Sequence, residues 1–172
     1  MDLLNKTILI TGASDGIGEV LAVEFSKLGS NIILLAKDPE KLDKVYDQLD
    51  HSFDSQKHLI LQADLNLLNN ESAHEIFRAI TEEYTCLDGI VNNAAILGTM
   101  TTLEDYELSK WDEVLNINLR APFLLTKTLK SILEDSTLPR IIFTSSGVAN
   151  IGRAFWGAYS VSKFGLKGLA EI

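Results

Sequence analysis

Eight residues, Thr11-Gly12-Ala13-Ser14-Asp15-Gly16-Ile17-Gly18, most constrain what this chain can fold into. An apolar run at 7–10 leads into them, and an amphipathic stretch at 17–28 leaves them. That order predicts a strand, a tight glycine turn and a helix, the context in which a dinucleotide phosphate site is built. Gly12 admits a turn that a Cβ would block. Gly16 and Gly18 are expected to let a pyrophosphate approach the backbone. The first amides of the following helix then point at the phosphates, where the helix dipole favours negative charge. A glycine-rich connection alone is weak grounds, so the reading rests on what the rest of the chain adds.

The rest alternates. Apolar runs predict strands at 7–11, 31–36, 58–63, 89–92 and 140–145. Between them, helical patterns cover 17–28, 39 to about 50, 70–83 and 109–134, and a last helix begins near Phe155 or Trp156. Alternation of this kind predicts one α/β domain, a doubly wound parallel sheet with helices on both faces. Gly29 is expected just past the first helix. Asp38 followed by Pro39 is expected to cap the second, because the ring fixes a helical φ and its missing N–H loses nothing there. Ser109 with Asp112 is expected to open the longest helix. Pro122 lies inside that helix, where it denies a hydrogen bond to the carbonyl of Asn118. A kink there would free that oxygen for water or a ligand; a bend for packing, or a junction of two helices, is the simpler alternative.

Composition narrows the classes. A chain of 172 residues is long enough to bury roughly 70% of its unfolded surface. Fifteen basic against 24 acidic residues give a net charge of −9 with no basic run, which argues against nucleic acid as a partner. One cysteine, Cys86, excludes an internal disulfide and a Cys-based zinc site, and no metal is expected. The stretch from Met1 to Lys6 has no basic region before a long apolar run, and no segment reaches membrane-spanning length. A cytoplasmic protein with no membrane partner is the expectation.

Tyr159 and Lys163 stand four residues apart, on one face of the last predicted helix. A free tyrosine keeps its proton to pH ~10, and a neighbouring ammonium favours the phenolate. Such a pair can exchange a proton with a substrate oxygen. Ser145-Ser146 ends the fifth strand, Asn92-Asn93-Ala94-Ala95 ends the fourth, and Asp64-Leu65 ends the third. All fall at the carboxyl edge of the sheet, where open α/β sheets bind ligands.

With these motifs in place, the chain resembles the short-chain dehydrogenase/reductase family over 4–172. The glycine spacing matches, and Asn-Asn-Ala-Ala resembles the family's Asn-Asn-Ala-Gly, with Ala95 replacing the glycine. Asn118, Ser146, Tyr159 and Lys163 fall where the family's catalytic tetrad falls. Within the family, Phe-Thr-Ser-Ser and Trp-Gly-Ala-Tyr look like the bacterial YciK-like oxidoreductases. The resemblance implies a Rossmann-type sheet of order 3-2-1-4-5. It makes Tyr159 the general acid/base, and Lys163 the residue that tunes it and binds the nicotinamide ribose. Ser146 holds the substrate oxygen, and the main-chain carbonyl of Asn118 holds a relay water. Cofactor binding is implied for the loop Gly12, Ala13, Ser14, Asp15, Gly16, Ile17 and Gly18, for Asp64 and Leu65, for Asn93 and Ala94, and for Tyr159 and Lys163.

Cofactor choice can be argued from the second strand. NAD sites place an acid about 20 residues past the glycines, on the ribose 2′-hydroxyl. Here Ala36 ends the strand and Lys37 follows. Lys37 and Ser14 suit a 2′-phosphate, with Asp64 at the adenine edge. Asp38 is the rival acid, but its better reading is the helix cap. Asp15 stands where many NADP-binding relatives carry a basic residue. NADP(H) is favoured, with NAD(H) the alternative.

Family members run to about 250 residues, so the chain is expected to stop within its catalytic helix, short of the family's C-terminal strands and lid. The resulting expectation is an oxidoreductase acting on a small carbonyl or alcohol substrate, homo-oligomeric in its full-length parent. The alternative, strongest for a shortened form, is a nucleotide-binding sensor or partner module without turnover.

Overall fold

The computed structural model describes residues 3–172. Met1 and Asp2, part of the stretch read above for a leader, lie outside the described residues.

Strand β1 (Thr7–Thr11) is buried along its whole length, and the glycine turn joins it to helix α1 (Gly16–Lys27). β2 (Asn31–Ala36), α2 (Pro39–Tyr46), β3 (Leu59–Gln62), α3 (Asn70–Glu83) and β4 (Gly89–Asn92) follow. Then come α4 (Leu108–Leu115), a π-helical turn (Asn116–Arg120), α5 (Ala121–Thr128) and α6 (Lys130–Glu134). β5 (Arg140–Phe143), a 3₁₀ turn (Gly147–Ala149) and α7 (Gly157–Glu171) complete the order. All strand pairs are parallel, in the order β3-β2-β1-β4-β5, as the sequence led one to expect.

Parallel strands covered on both faces need apolar side chains on both. Ile8, Ile10, Ile32, Leu34 and Val91 point into the layer of α1 and α2, against Ala22, Leu42 and Val45. Leu9, Ile33, Leu35 and Ile90 point into the opposite layer, against Ile76 and Ile80 of α3 and Leu124 and Leu125 of α5. The chain runs outward from β1 in both directions, so the strand order switches between β1 and β4. That leaves a crevice beyond their carboxyl ends.

Local chemistry explains most boundaries. Asp38 Oδ accepts from the Lys41 amide at 3.1 Å with Pro39 opening α2, the expected cap. Gly29 follows α1 at φ +81°. α2 ends at Tyr46, short of the expected Asp50, as the amides of Gln48 and Leu49 turn back on the carbonyls of Val45 and Tyr46. β5 stops at Phe143, so Ser145 and Ser146 lie in the loop beyond it.

The long helix differs most from expectation. It opens at Leu108, with Glu107 before it, and makes no side-chain cap, so Ser109 and Asp112 do not start it. It is also divided. The Ala121 amide bonds the Asn116 carbonyl, five residues back. Pro122 offers no N–H to Asn118 at the α-helical spacing, and the chain absorbs the mismatch as a π turn, a common site of such bulges.

Candidate active site

The glycine turn folds back under β4. Gly12 has φ +64°, and a Cβ on it would lie 2.9 Å from the Ala94 Cα, so only glycine fits. Gly16, at φ +55°, has nothing within 4 Å of where a Cβ would stand. At Gly18 the absence of a side chain also serves packing. A Cβ there would lie 2.2 Å from the Gly12 carbonyl oxygen and 2.9 Å from Asn93 Nδ2. The missing side chain lets α1 pack onto the turn. Ala13 has its side chain in the core, so only its backbone faces the turn. Asp15 precedes α1 without a side-chain capping bond. Ile17 is exposed on the first turn.

Four strand ends converge on one crevice. Gly12, Ser14 and Asp15 line it from β1, and Ala36 and Lys37 from β2. Asp64 and Leu65 line it from beyond β3, and Asn93 and Ala94 from beyond β4. Asp64 Oδ1 accepts from the Asn66 amide at 2.9 Å, which shapes its own turn. The Lys37 side chain is exposed, with no ion-pair partner among the described residues.

A hydrogen-bonded chain ties this crevice to α7. Thr11 Oγ1 accepts from the amides of Asn93 and Ala94, both at 3.0 Å. Asn93 Nδ2 donates to the Thr11 carbonyl at 3.3 Å, and its Oδ1 accepts from Thr144 Oγ1 at 3.3 Å. The Thr144 carbonyl, just past β5, accepts from Lys163 Nζ at 2.6 Å. Lys163 Nζ stands 5.6 Å from the centre of the Tyr159 ring. The Tyr159 hydroxyl has no hydrogen-bond partner among the described residues, and its ring lies 5.9 Å from that of Trp156.

Lys163 is only 2% exposed, and no carboxylate pairs with it among the described residues. Burial pushes its ammonium below the usual lysine range. Isolated buried charge is costly, and shifts of this kind gather at functional sites.

Asn118 is buried in the π turn. Its side chain brackets Ile96, accepting from that amide at 2.9 Å and donating to that carbonyl at 2.9 Å. It also donates to Ser162 Oγ at 3.1 Å, and Ser162 donates to the Tyr159 carbonyl at 2.7 Å. One amide therefore couples the loop after β4 to the turn of α7 that carries Tyr159. Ser146 opens the 3₁₀ turn, accepting from the Val148 amide. Ser160 ties α7 to that turn, bonding the Val148 carbonyl at 3.2 Å.

Sequence reasoning missed Thr11, Thr144 and Ser162. Thr11 and Thr144 carry one weak signal, a hydroxyl residue at a strand end beside a motif. Ser162 carries none, because its partner is distant in the chain.

The fold and this site define a dinucleotide-binding α/β domain. The family model described as short chain dehydrogenase matches residues 6–172, and the chain belongs to the short-chain dehydrogenase/reductase family, oxidoreductases acting with NAD(P). It is 36% identical over 172 residues to YciK, an uncharacterized oxidoreductase of Escherichia coli (strain K12), covering 99% of this chain and 68% of that protein. A short chain dehydrogenase from Shigella flexneri 2a str. 301 complexed with NADP superposes with a TM-score of 0.92 at 37% identity, covering 98% of this chain and 70% of that one. One from Escherichia coli CFT073 complexed with NADPH gives 0.91 at 37% identity, with the same 98% and 70% coverage. Among the described residues, no helix is long and apolar enough to cross a membrane.

Proposed function

We propose that this chain provides the cofactor and proton-transfer sites of an NADP(H)-dependent oxidoreductase that interconverts a carbonyl and an alcohol on a small molecule. Residues 1–172 form one dinucleotide-binding domain in this reading. The supporting observation is the buried Lys163 ammonium beside Tyr159, bonded to the Thr144 carbonyl just past β5. A fold gains nothing in stability from an unpaired buried cation. A site that moves protons does gain from one.

The crevice fits a phosphorylated dinucleotide. Gly16 leaves its face open, and Lys37 has its ammonium unengaged. Ser14 and Lys37 hold the 2′-phosphate, Asp64 and Leu65 flank the adenine, and Asn93 and Ala94 contact the cofactor from the end of β4. Bound NADPH supplies the hydride. In reduction, Tyr159 gives its hydroxyl proton to the substrate oxygen as that oxygen becomes an alcohol. In oxidation, it takes the proton back. Lys163 places positive charge beside the ring and binds the ribose. Ser146 donates to the substrate oxygen, and the Asn118 carbonyl holds the water that returns protons toward Lys163. The relatives found in complex with NADP and NADPH support the cofactor assignment.

The test is oxidation of NADPH, followed by absorbance, across a panel of ketones and aldehydes. Tyr159→Phe is expected to lower kcat by about 10²–10⁴-fold while NADPH affinity, read by fluorescence titration, stays within twofold. Full activity in the variant refutes the proton-transfer role. A wild-type protein that binds NADPH but oxidises none of it with any substrate refutes the enzyme.

A further inference from the structure

Phosphate recognition at this crevice has to accommodate a carboxylate. Asp15 is exposed and lines the crevice together with Ser14 and Lys37. A 2′-phosphate held by those two residues would meet the negative charge of Asp15, and like charges brought together at a binding surface cost affinity.

The structure places a second cation there. The side chain of Lys41 reaches from the first turn of α2 to the glycine turn, and its Nζ donates to Asp15 Oδ2 at 2.9 Å. The reach is set up locally. Asp38 caps the Lys41 amide and Pro39 opens α2, which fixes the backbone from which the side chain extends to Asp15. Asp38 and Glu19 also face the Lys41 ammonium, and Glu19 accepts from Gln48 Nε2 at 3.2 Å. The Lys41 ammonium, with the Gly16 amide, holds the Asp15 carboxyl below the usual carboxylate range, while Asp15 holds Lys41 above the usual lysine range. Both groups are charged at neutral pH.

We propose that Lys41 determines cofactor specificity: it neutralises Asp15 and shares its ammonium with the 2′-phosphate, completing with Lys37 a two-lysine clamp. The inference rests on the NADP(H) reading above. An ammonium has three donors, so one can stay on Asp15 while another takes a phosphate oxygen. The pair is 51% and 75% exposed, and ion pairs that open to solvent rearrange at little cost. The arrangement also shows how a turn carrying Asp15, where a basic residue would help directly, can still accept a phosphate. The missing charge comes from the next helix.

Isothermal titration with NADP⁺ and NAD⁺, which differ only by the 2′-phosphate, tests this without turnover. The wild-type protein is expected to prefer NADP⁺. Lys41→Met is expected to weaken NADP⁺ about tenfold, leave NAD⁺ within twofold, and leave the melting temperature nearly unchanged. Lys41→Arg should keep most of the preference. Asp15→Asn should tighten NADP⁺ several-fold and reduce the effect of Lys41→Met. The preference should also shrink as salt rises. If the wild type prefers NADP⁺ but Lys41→Met changes both nucleotides equally, or neither, the role of Lys41 is overturned and the cofactor reading stands. If the wild type binds the two equally, the NADP(H) reading falls, and this inference falls with it.

Discussion

Replacing Lys163 with methionine separates what the fold needs from what the chemistry needs. Lys163 is 2% exposed and, among the described residues, its ammonium makes one hydrogen bond, 2.6 Å to the Thr144 carbonyl. Losing a charge-assisted bond of this kind costs about 1.5–3 kcal/mol. Methionine has similar volume, so no large cavity opens, and volume-conserving exchanges cost less than about 1.5 kcal/mol. Against these stands the desolvation of an ammonium, several kcal/mol for a buried ion. The balance predicts that Lys163→Met is more stable than wild type by about 1–3 kcal/mol, and each kcal/mol raises the melting temperature by about 2–4 °C in a domain of this size. Urea unfolding followed by far-UV circular dichroism measures it. The pH dependence has a defined sign. Burial lowers the folded-state pKa of Lys163 from its ordinary 10.5. Between the two values the native protein holds fewer protons than the unfolded chain, so wild-type stability rises with pH in that window. Methionine does not titrate, so the advantage of the variant should narrow as pH climbs toward 10.5. A variant less stable than wild type by 2 kcal/mol or more, with a gap insensitive to pH, would show Lys163 to be a structural strut. The argument from costly buried charge would then fail.

Two further outcomes follow from the geometry. Gly18→Ala should destabilise by about 2 kcal/mol or more, since a Cβ would overlap the Gly12 carbonyl oxygen at 2.2 Å and overpack the turn beneath α1. Gly147→Ala, where a Cβ meets nothing within 4 Å, should be nearly neutral; equal unfolding midpoints in urea would show that the turn under Gly18 relaxes. His58 should make the fold acid-sensitive. Its Nδ1 accepts from the Ile32 amide at 3.1 Å, and its Nε2 lies 2.9 Å from the Asp50 carbonyl, so the neutral ring satisfies both. Burial, opposed by the Asp50 carbonyl, lowers its pKa below the ordinary 6.5, with His51 adding to the lowering. Stability should therefore be complete above that range and decline as pH falls below about 6.5. His58→Gln should flatten that decline, and an identical pH profile in the variant would assign the acid response elsewhere.

Much of this protein is readable along the chain because the cues are local. Glycine spacing sets the turn at 12–18. Continuous apolar runs mark β1 and β2 as strands covered on both faces, and Asp38-Pro39 marks the start of α2. Parallel βαβ units then carry every strand end to one edge, so the sequence by itself determined where the candidate site lies and which motifs meet there. Which groups each residue touches at that edge was decided by contacts between segments far apart. Thr11 and Asn93, joined at the rim of the crevice, are 82 residues apart in the chain. Asn118 and Ser162 are 44 apart, and Asp15 and Lys41 are 26 apart. Gly18 serves packing because the Gly12 carbonyl lies beneath it, and the helix around Pro122 becomes a π turn and not a simple kink. Short-range propensity and periodicity carry no information about which distant groups will share a proton, a charge or a contact. Those partners are decided when the layers close on the sheet.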